Sequence, residues 1–344
     1  MLTTLQPTTE RKRSLPLVEN RRAAERVPPT TVRISLTDRC DLACLYCRPS
    51  RSDGYLETRL DDEPWRAMVR ALVQAGVRRV RVTGGEPLLH PRVVERVTFL
   101  AGLGIEDLAL TTNATRLRAL ARPLRDAGLH RLTVSLDSLV PERFARITRG
   151  GRLDAVLDGI EAAREAGYAE LKTNTVVLRG ENDDELAEIV EWACDQGIVP
   201  RFIELMRVGE GARLPLHSLV GAAEMRARLA HLLADEAGAP DPDRGPARYV
   251  RLRADGRRRV GFITGTTDTY CGSCDRLRVS SDGVLRPCLA TNDGVAAMSL
   301  ADAGDVDGIV GAIAEAWALK PDGETWKGCT EPSAAQVSMR AIGG

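Results

Sequence analysis

The chain has 344 residues, 43% hydrophobic and 28% charged, and its 48 basic residues balance 48 acidic ones to a formal net charge of zero. That length exceeds what one core usually fills, so two domains or one large barrel with an appendage are expected. The even balance excludes the global basic excess of a nucleic-acid-binding protein, though an anionic small molecule needs only a local group of arginines. With no run of about 18 apolar residues no helical membrane span is expected, and the eight cysteines are expected to be metal ligands or catalytic thiols of a cytoplasmic protein rather than disulfides.

Residues 1–29 are polar and basic (Arg11, Lys12, Arg13, Arg21, Arg22, Arg26) and read as a flexible arm. Apolar runs then appear at Val32–Leu36, Val80–Val82, Leu108–Leu110, Leu132–Leu136, Leu171–Leu178 and Val199–Ile203. Between them lie helical patterns at Glu63–Gln74, Pro91–Leu100, Arg116–Asp126, Asp154–Ala166 and Asp183–Cys194. Several of these stop at a glycine: Gly76, Gly128, Gly167 and Gly197. Six repeats of strand and helix predict an α/β fold, an incomplete (β/α)6 TIM-like barrel over residues 30–216. After Met206 the rhythm breaks. Gly209, Gly211, Pro215 and the Gly238–Pro246 segment read as loop, and Tyr249–Arg253 with Arg258–Ile263 read as a hairpin about Asp255-Gly256. A smaller domain is expected over residues 217–330, followed by a tail over 331–344.

The motifs follow the same order. Cys40, Cys44 and Cys47 form a CxxxCxxC at the end of the first strand. Three thiolates from one loop suit three irons of a 4Fe-4S cluster with the fourth iron open, whereas zinc would want a fourth Cys or His nearby. Thr83-Gly84-Gly85-Glu86-Pro87 follows the second strand, a turn whose glycines permit close backbone approach to a ligand. Cys271, Cys274 and Cys288 form a second triad, CxxC–x13–C, which reads as a second cluster or, with a recruited ligand such as Cys329, a zinc knuckle. If Asp275-Arg276-Leu277-Arg278 is extended, Arg276 and Arg278 project to one side and make a phosphate clamp; the plainer reading is a solvated edge-strand pair. Cys194, on an amphipathic helix, reads as core.

The CxxxCxxC loop together with Gly84-Gly85-Glu86-Pro87 resembles the radical S-adenosylmethionine superfamily. That resemblance implies a cluster on Cys40, Cys44 and Cys47 whose open iron takes S-adenosylmethionine. Tyr46 would lie against the adenine, the backbone near Gly85 would hold the amine, and Ser135 and Met206 would complete the cofactor site. Within the superfamily, Asp38-Arg39-Cys40, Val134-Ser135-Leu136-Asp137-Ser138, Gly180-Glu181-Asn182-Asp183-Asp184-Glu185, Arg201-Phe202-Ile203-Glu204, the second triad and the terminal Ile342-Gly343-Gly344 are similar to the GTP 3′,8-cyclase family.

The family resemblance implies conversion of GTP to (8S)-3′,8-cyclo-7,8-dihydroguanosine 5′-triphosphate, the first step of molybdenum cofactor biosynthesis. A deoxyadenosyl radical takes hydrogen from ribose C3′ and the carbon radical attacks guanine C8, while the second 4Fe-4S cluster, on Cys271, Cys274 and Cys288, binds the guanine edge. Arg33, Arg81, Lys172, Arg276 and Arg278 would bind the substrate phosphates, Leu277 would belong to the substrate site, Thr111 would touch the nucleotide, and Arg201 would support the cofactor or cluster. Catalytic roles fall to Arg276, Arg278, Gly343 and Gly344, the two glycines threading into the active site. Implied partners are an electron donor such as flavodoxin or ferredoxin and a downstream cyclic pyranopterin monophosphate synthase, with a monomer or homodimer as the assembly. The chain departs from the family at Asp41, at Arg48 where Met is usual, and at Arg79 where Lys is common. Two rival readings are a radical enzyme acting on a peptide or another nucleotide, and a zinc-stapled binding protein.

Overall fold

A computed structural model describes residues 28–321, apart from 53, 169, 236–238, 241–244 and 255, together with Met339 and Ile342. The first part alternates strand and helix: β1 (Thr31–Ser35), α1 (Asp62–Gln74), β2 (Arg79–Thr83), α2 (Val93–Gly102), β3 (Asp107–Thr112), α3 (Leu117–Asp126), β4 (Arg131–Ser135), α4 (Pro141–Ile147), α5 (Leu153–Glu165), β5 (Leu171–Val177), α6 (Leu186–Asp195) and β6 (Val199–Glu204). The six strands pair in sequence order and all in parallel, as the repeated pattern predicts. The helices use their apolar stripes, such as Trp65, Met68 and Leu72 on α1, to cover the outer face of the sheet. Gly76, Gly128, Gly167 and Gly197 close four helices with φ between +70° and +100°, a conformation that costs a residue with a Cβ. The short α4 carries too few turns for its periodicity to stand out in the sequence.

The second part is α7 (Ala222–Arg228), β7 (Ala239–Pro240), β8 (Ala247–Arg251), β9 (Arg259–Ile263), β10 (Arg276–Val279), β11 (Val284–Arg286), β12 (Val295–Ala296), α8 (Met298–Asp302) and α9 (Val306–Ala318). β8 and β9 form the expected hairpin, but Ala239–Pro240, expected as loop, pairs with β8 as an edge strand. These strands join the same sheet, in the order β12-β11-β10-β1-β2-β3-β4-β5-β6-β9-β8-β7. β9 runs parallel to β6 and β10 parallel to β1, so residues 264–275 pass from one edge of the six-stranded barrel to the other. One apolar cluster includes Trp65 and Met68 of α1, Val32 of β1, Val279 of β10 and Ile309, Ile313 and Trp317 of α9. Among the described residues no helix is long and apolar enough to cross a membrane.

Alternation along the strands decides the chemistry of the interior. Val32, Ile34, Val80, Val82, Leu277 and Val279 enter the apolar cluster on the helix side. The residues between them, Arg33, Arg81, Arg276 and Arg278, therefore face inward. The register sets Arg33 opposite Arg81 on one side and opposite Arg278 on the other. Like charges directly opposed destabilise a sheet, so this row of three calls for an anion.

Candidate active site

The barrel encloses a cavity of about 650 Å³. Seven arginines line it (Arg33, Arg79, Arg81, Arg131, Arg201, Arg276, Arg278) against three carboxylates (Asp107, Glu204, Asp275). Each carboxylate already has protein donors. Asp107 pairs with Arg131. Asp275 accepts from Thr30 and Thr31 at 2.7 Å and from Arg79 at 3.0 Å. Glu204 accepts the backbone N–H groups of Ala222, Thr266 and Thr267. The wall is thus strongly cationic within a chain of zero net charge. Burial, then the neighbouring Arg278, Arg81 and Arg276, push the Arg33 guanidinium well below its ordinary value. Burial, then Arg201 and Arg131, do the same to Arg81. A guanidinium holds its proton in practice, so the crowding is expressed as affinity for a negatively charged ligand.

At one end the cavity adjoins a smaller one of about 130 Å³, lined by Cys40, Cys44 and Cys47 and sharing Tyr46, Thr111, Ser135 and Met339 with the larger space. The loop bearing these thiols is held by Ala43 N–H to Thr148 O at 3.2 Å and Leu45 N–H to Ile147 O at 3.0 Å. Asp41 accepts from Asn113 Nδ2 at 2.8 Å and from Thr115 Oγ1 at 2.6 Å. Tyr46 donates its hydroxyl to Asp137 at 2.7 Å. Burial lifts the Asp137 carboxyl to about 6 against the bonds from Tyr46 and Val176. Gly84 and Gly85 serve a neighbour as well as any ligand. A Cβ at Gly84 would lie 2.5 Å from Thr37 O, and one at Gly85 would strike Arg39 O. Gly85 and Glu86 donate their N–H groups to Thr37 O and Arg39 O at 2.6 and 2.7 Å, so both glycines let the second loop seat against the cysteine loop. Arg48, buried at 2% exposure, lines this small cavity and stacks over the Tyr55 ring at 4.7 Å.

At the other end a cavity of about 80 Å³ is lined by Cys271, Cys274 and Cys288 and shares Met206, Tyr270, Arg276 and Arg278 with the central space. Burial opposes ionisation of Cys274, but Arg276 and Lys320 hold its thiol below the ordinary value. Arg276 also stacks over Tyr270 at 4.6 Å. Two triads of soft thiol donors, each bordering its own cavity, suit iron–sulfur clusters in donor chemistry. Among the described residues no three Cys, His, Asp or Glu side chains converge on a single-ion site.

Most residues singled out from sequence meet here. Arg33, Tyr46, Arg81, Thr111, Ser135, Arg201, Met206, Arg276 and Arg278 line the central cavity, and Gly85 lines the first small one. Met206 packs against Gly265, where a Cβ would meet its side chain at 2.7 Å. Arg201 and Arg81 share Thr133 Oγ1 as acceptor, at 3.1 and 3.4 Å. Two residues fall elsewhere. Leu277 is fully buried in the apolar cluster, because alternation between two inward arginines turns its side chain to the helix face. Lys172 does not line the cavity; its ammonium pairs with Glu170 at 3.2 Å and reaches Tyr249 Oη at 3.5 Å. Cys194 is buried in a second apolar cluster with Phe202 and Phe262. Gly343, Gly344 and Cys329 lie outside the described residues, but Ile342 is fully buried beside Val208 and Leu289, and its carbonyl accepts from Arg278 at 3.2 Å.

Sequence reading missed Arg79, Arg131 and Asp275 as cavity residues, although alternation with Val80 and Leu132 places the two arginines on the inward face. It also missed Lys320, whose ammonium donates to Arg276 O at 2.9 Å and Pro287 O at 2.8 Å. A lysine just beyond a helix gives no local sign of burial.

Comparison with known proteins follows this geometry. A family model described as the radical SAM superfamily matches residues 34–193, and one described as Molybdenum Cofactor Synthesis C matches residues 198–326. The chain is 42% identical over 323 residues to the GTP 3′,8-cyclase of Paracoccus denitrificans, covering 90% of this chain and 91% of that protein. It is 43% identical over 263 residues to GTP 3′,8-cyclase 1 of Pseudomonas aeruginosa, covering 75% and 79%. Among solved structures, Streptococcus suis SuiB bound to S-adenosylmethionine matches with a TM-score of 0.59 over 83% of this chain and 68% of that one. SuiB bound to precursor peptide SuiA matches with a TM-score of 0.60 over 92% and 76%. Both are 16% identical, which speaks to the fold alone.

Proposed function

We propose, from the premise that this chain belongs to the GTP 3′,8-cyclase family of the radical SAM superfamily, that its arginine-lined cavity holds GTP between two iron–sulfur clusters. The enzyme is a radical SAM lyase that cyclises GTP in the first step of molybdenum cofactor biosynthesis. The observation that carries the residue assignments is the inward row Arg278, Arg33 and Arg81, set between the cavities of the two cysteine triads.

Cys40, Cys44 and Cys47 hold the first cluster, and Tyr46, Gly85, Ser135 and Met206 receive S-adenosylmethionine beside it. Bound there and reduced, this cofactor supplies hydrogen-atom abstraction from the substrate. Arg33, Arg81, Arg276 and Arg278 bind the triphosphate through charge-assisted, bidentate bonds, and Thr111 meets the nucleoside. Cys271, Cys274 and Cys288 hold the second cluster near the guanine. The main contribution of these side chains is orientation, since ring closure joins two atoms of one molecule and needs them held in register. The same reading gives the Gly343-Gly344 end a part in catalysis, supported by the buried Ile342 that precedes it and the bond Ile342 O accepts from Arg278. An electron donor of the flavodoxin or ferredoxin type and a downstream synthase complete the setting, in the cytoplasm, with the enzyme a monomer or homodimer.

Anaerobic incubation with GTP, S-adenosylmethionine and a reductant, read by mass spectrometry, tests this reading. Expected products are 5′-deoxyadenosine and a cyclised nucleotide, from protein holding about eight irons per chain if both clusters are 4Fe-4S. Absence of both products from iron-replete protein would reject it. Product without iron in the second triad would leave the GTP assignment and remove the second cluster.

A further inference from the structure

We infer that Lys320 is the counter-cation of the second cysteine triad, a positioning residue that sets the charge seen by the cluster held there. The inference rests on the reading of Cys271, Cys274 and Cys288 as cluster ligands.

Lys320 stands just beyond α9 and is only 6% exposed. It lines the small cavity of the three cysteines. Its ammonium donates to Arg276 O at 2.9 Å and Pro287 O at 2.8 Å. It also sits over the Trp317 ring at 4.7 Å. Arg276 follows Cys274 by two residues and Pro287 directly precedes Cys288. One ammonium therefore ties together the start of β10 and the end of β11, the backbone segments that carry two of the three thiols.

Why bury an ammonium here? Desolvation of a charge is costly unless an opposite charge faces it. Peptide carbonyls and an indole face orient the ammonium but do not neutralise it. The cysteines do, once they are thiolates. Three thiolates on a cluster leave excess negative charge, and reduction adds one more electron from the external donor without forming or breaking a bond. A cation lining the cluster's cavity favours the more negative state, so it raises the reduction potential. Arg276 and Arg278 are also near, but as phosphate ligands they change partners when GTP arrives. Lys320 is bound to the backbone and keeps its place.

The test uses anaerobically reconstituted full-length enzyme, comparing wild type with Lys320→Met and Lys320→Arg. Iron and sulfide per chain are measured, then each cluster is titrated with reductant under electron paramagnetic resonance. The cluster whose signal changes on adding S-adenosylmethionine is the first; the other is the second. Lys320→Met should shift the reduction equilibrium of the second cluster at least tenfold toward the oxidised form, about 59 mV for a one-electron couple. Lys320→Arg should restore most of that shift, and the first cluster's midpoint should not move. An unchanged second midpoint in iron-replete Lys320→Met overturns the inference. Equal loss of second-triad iron from both variants also overturns it, because a tether of fixed shape, not a charge, would then be the role. Wild-type enzyme with only one cluster removes the second-cluster reading itself, and this role with it.

Discussion

Among single residues, Glu86 shows best how polar bonding and burial compete. Its carboxyl accepts from Leu88 N–H at 3.0 Å, Thr112 Oγ1 at 2.7 Å and Asn113 N–H at 2.7 Å. Burial nevertheless raises it from its usual 4.5 to about 7, against those three donors. The unfolded chain therefore ionises this group first, while the folded form keeps its proton. As pH rises from about 4.5 to about 7 the native state loses roughly 3 kcal/mol from this site. Thermal unfolding of the apoprotein should show that decline, and Glu86→Gln should flatten it while costing about 1–3 kcal/mol through the amide N–H₂ turned toward Asn113. Sequence reading found the Gly-Gly-Glu-Pro turn, yet not what the glutamate does. Its donors at 112 and 113 come from the next strand, and that adjacency exists only in the folded sheet. The same holds for Lys172. The family resemblance pointed to it, but its contact with Tyr249 depends on β8 arriving from far along the chain.

At the scale of elements, the two glycines of that turn carry the contact between the first two loops of the barrel. A methyl at Gly85 would collide with the Arg39 carbonyl, which is backbone and cannot rotate away. Gly85→Ala should therefore displace the cysteine loop. Reconstituted protein should lose most of the iron of the first triad and its cleavage of S-adenosylmethionine, while the second cluster's spectrum persists. Full iron and full cleavage in this variant would show that the loop yields. Six strands and most helices were legible because period-two apolar runs and period-3.6 stripes are local properties of the chain. Boundaries slipped by one to three residues, most at the start of α6. The inward face was legible in part: Arg33 and Arg81 drew notice as charges on strands, whereas Arg79 and Arg131 follow the same alternation and did not. Leu277 was misjudged by being grouped with its neighbours, though strand alternation alone would have turned it to the core.

For the whole molecule, two residues near the C-terminus, Met339 and Ile342, pack against the cavity walls. Ile342 is buried against Val208 and Leu289, and Met339 lines both the central and the first small cavity. Deleting Gly343 and Gly344 removes no apolar area, so thermal stability and both clusters should remain. Formation of the cyclised nucleotide should fall strongly while 5′-deoxyadenosine is still made. A truncated enzyme that cyclises GTP at the full rate would make this end an ordinary terminus. What sequence patterns could not reveal is the closing of the sheet. β9 and β10 look like members of a separate small domain, because pairing between strands distant in sequence leaves no trace in local periodicity.

That closing has a bearing on how the protein is made. Residues 264–275 join a strand paired with β6 to one paired with β1, so both flanks of the six-stranded array are completed late in synthesis and almost together. A nascent chain that has finished β6 still presents two bare edges of parallel sheet. Such edges are templates for unwanted pairing, and ribosomal pausing between β6 and β10 would prolong that exposure. Chaperone demand should therefore peak over this stretch of translation. The same interval leaves the arginine-rich interior open along a seam, through which the first thiol triad can be reached before β10 is in place.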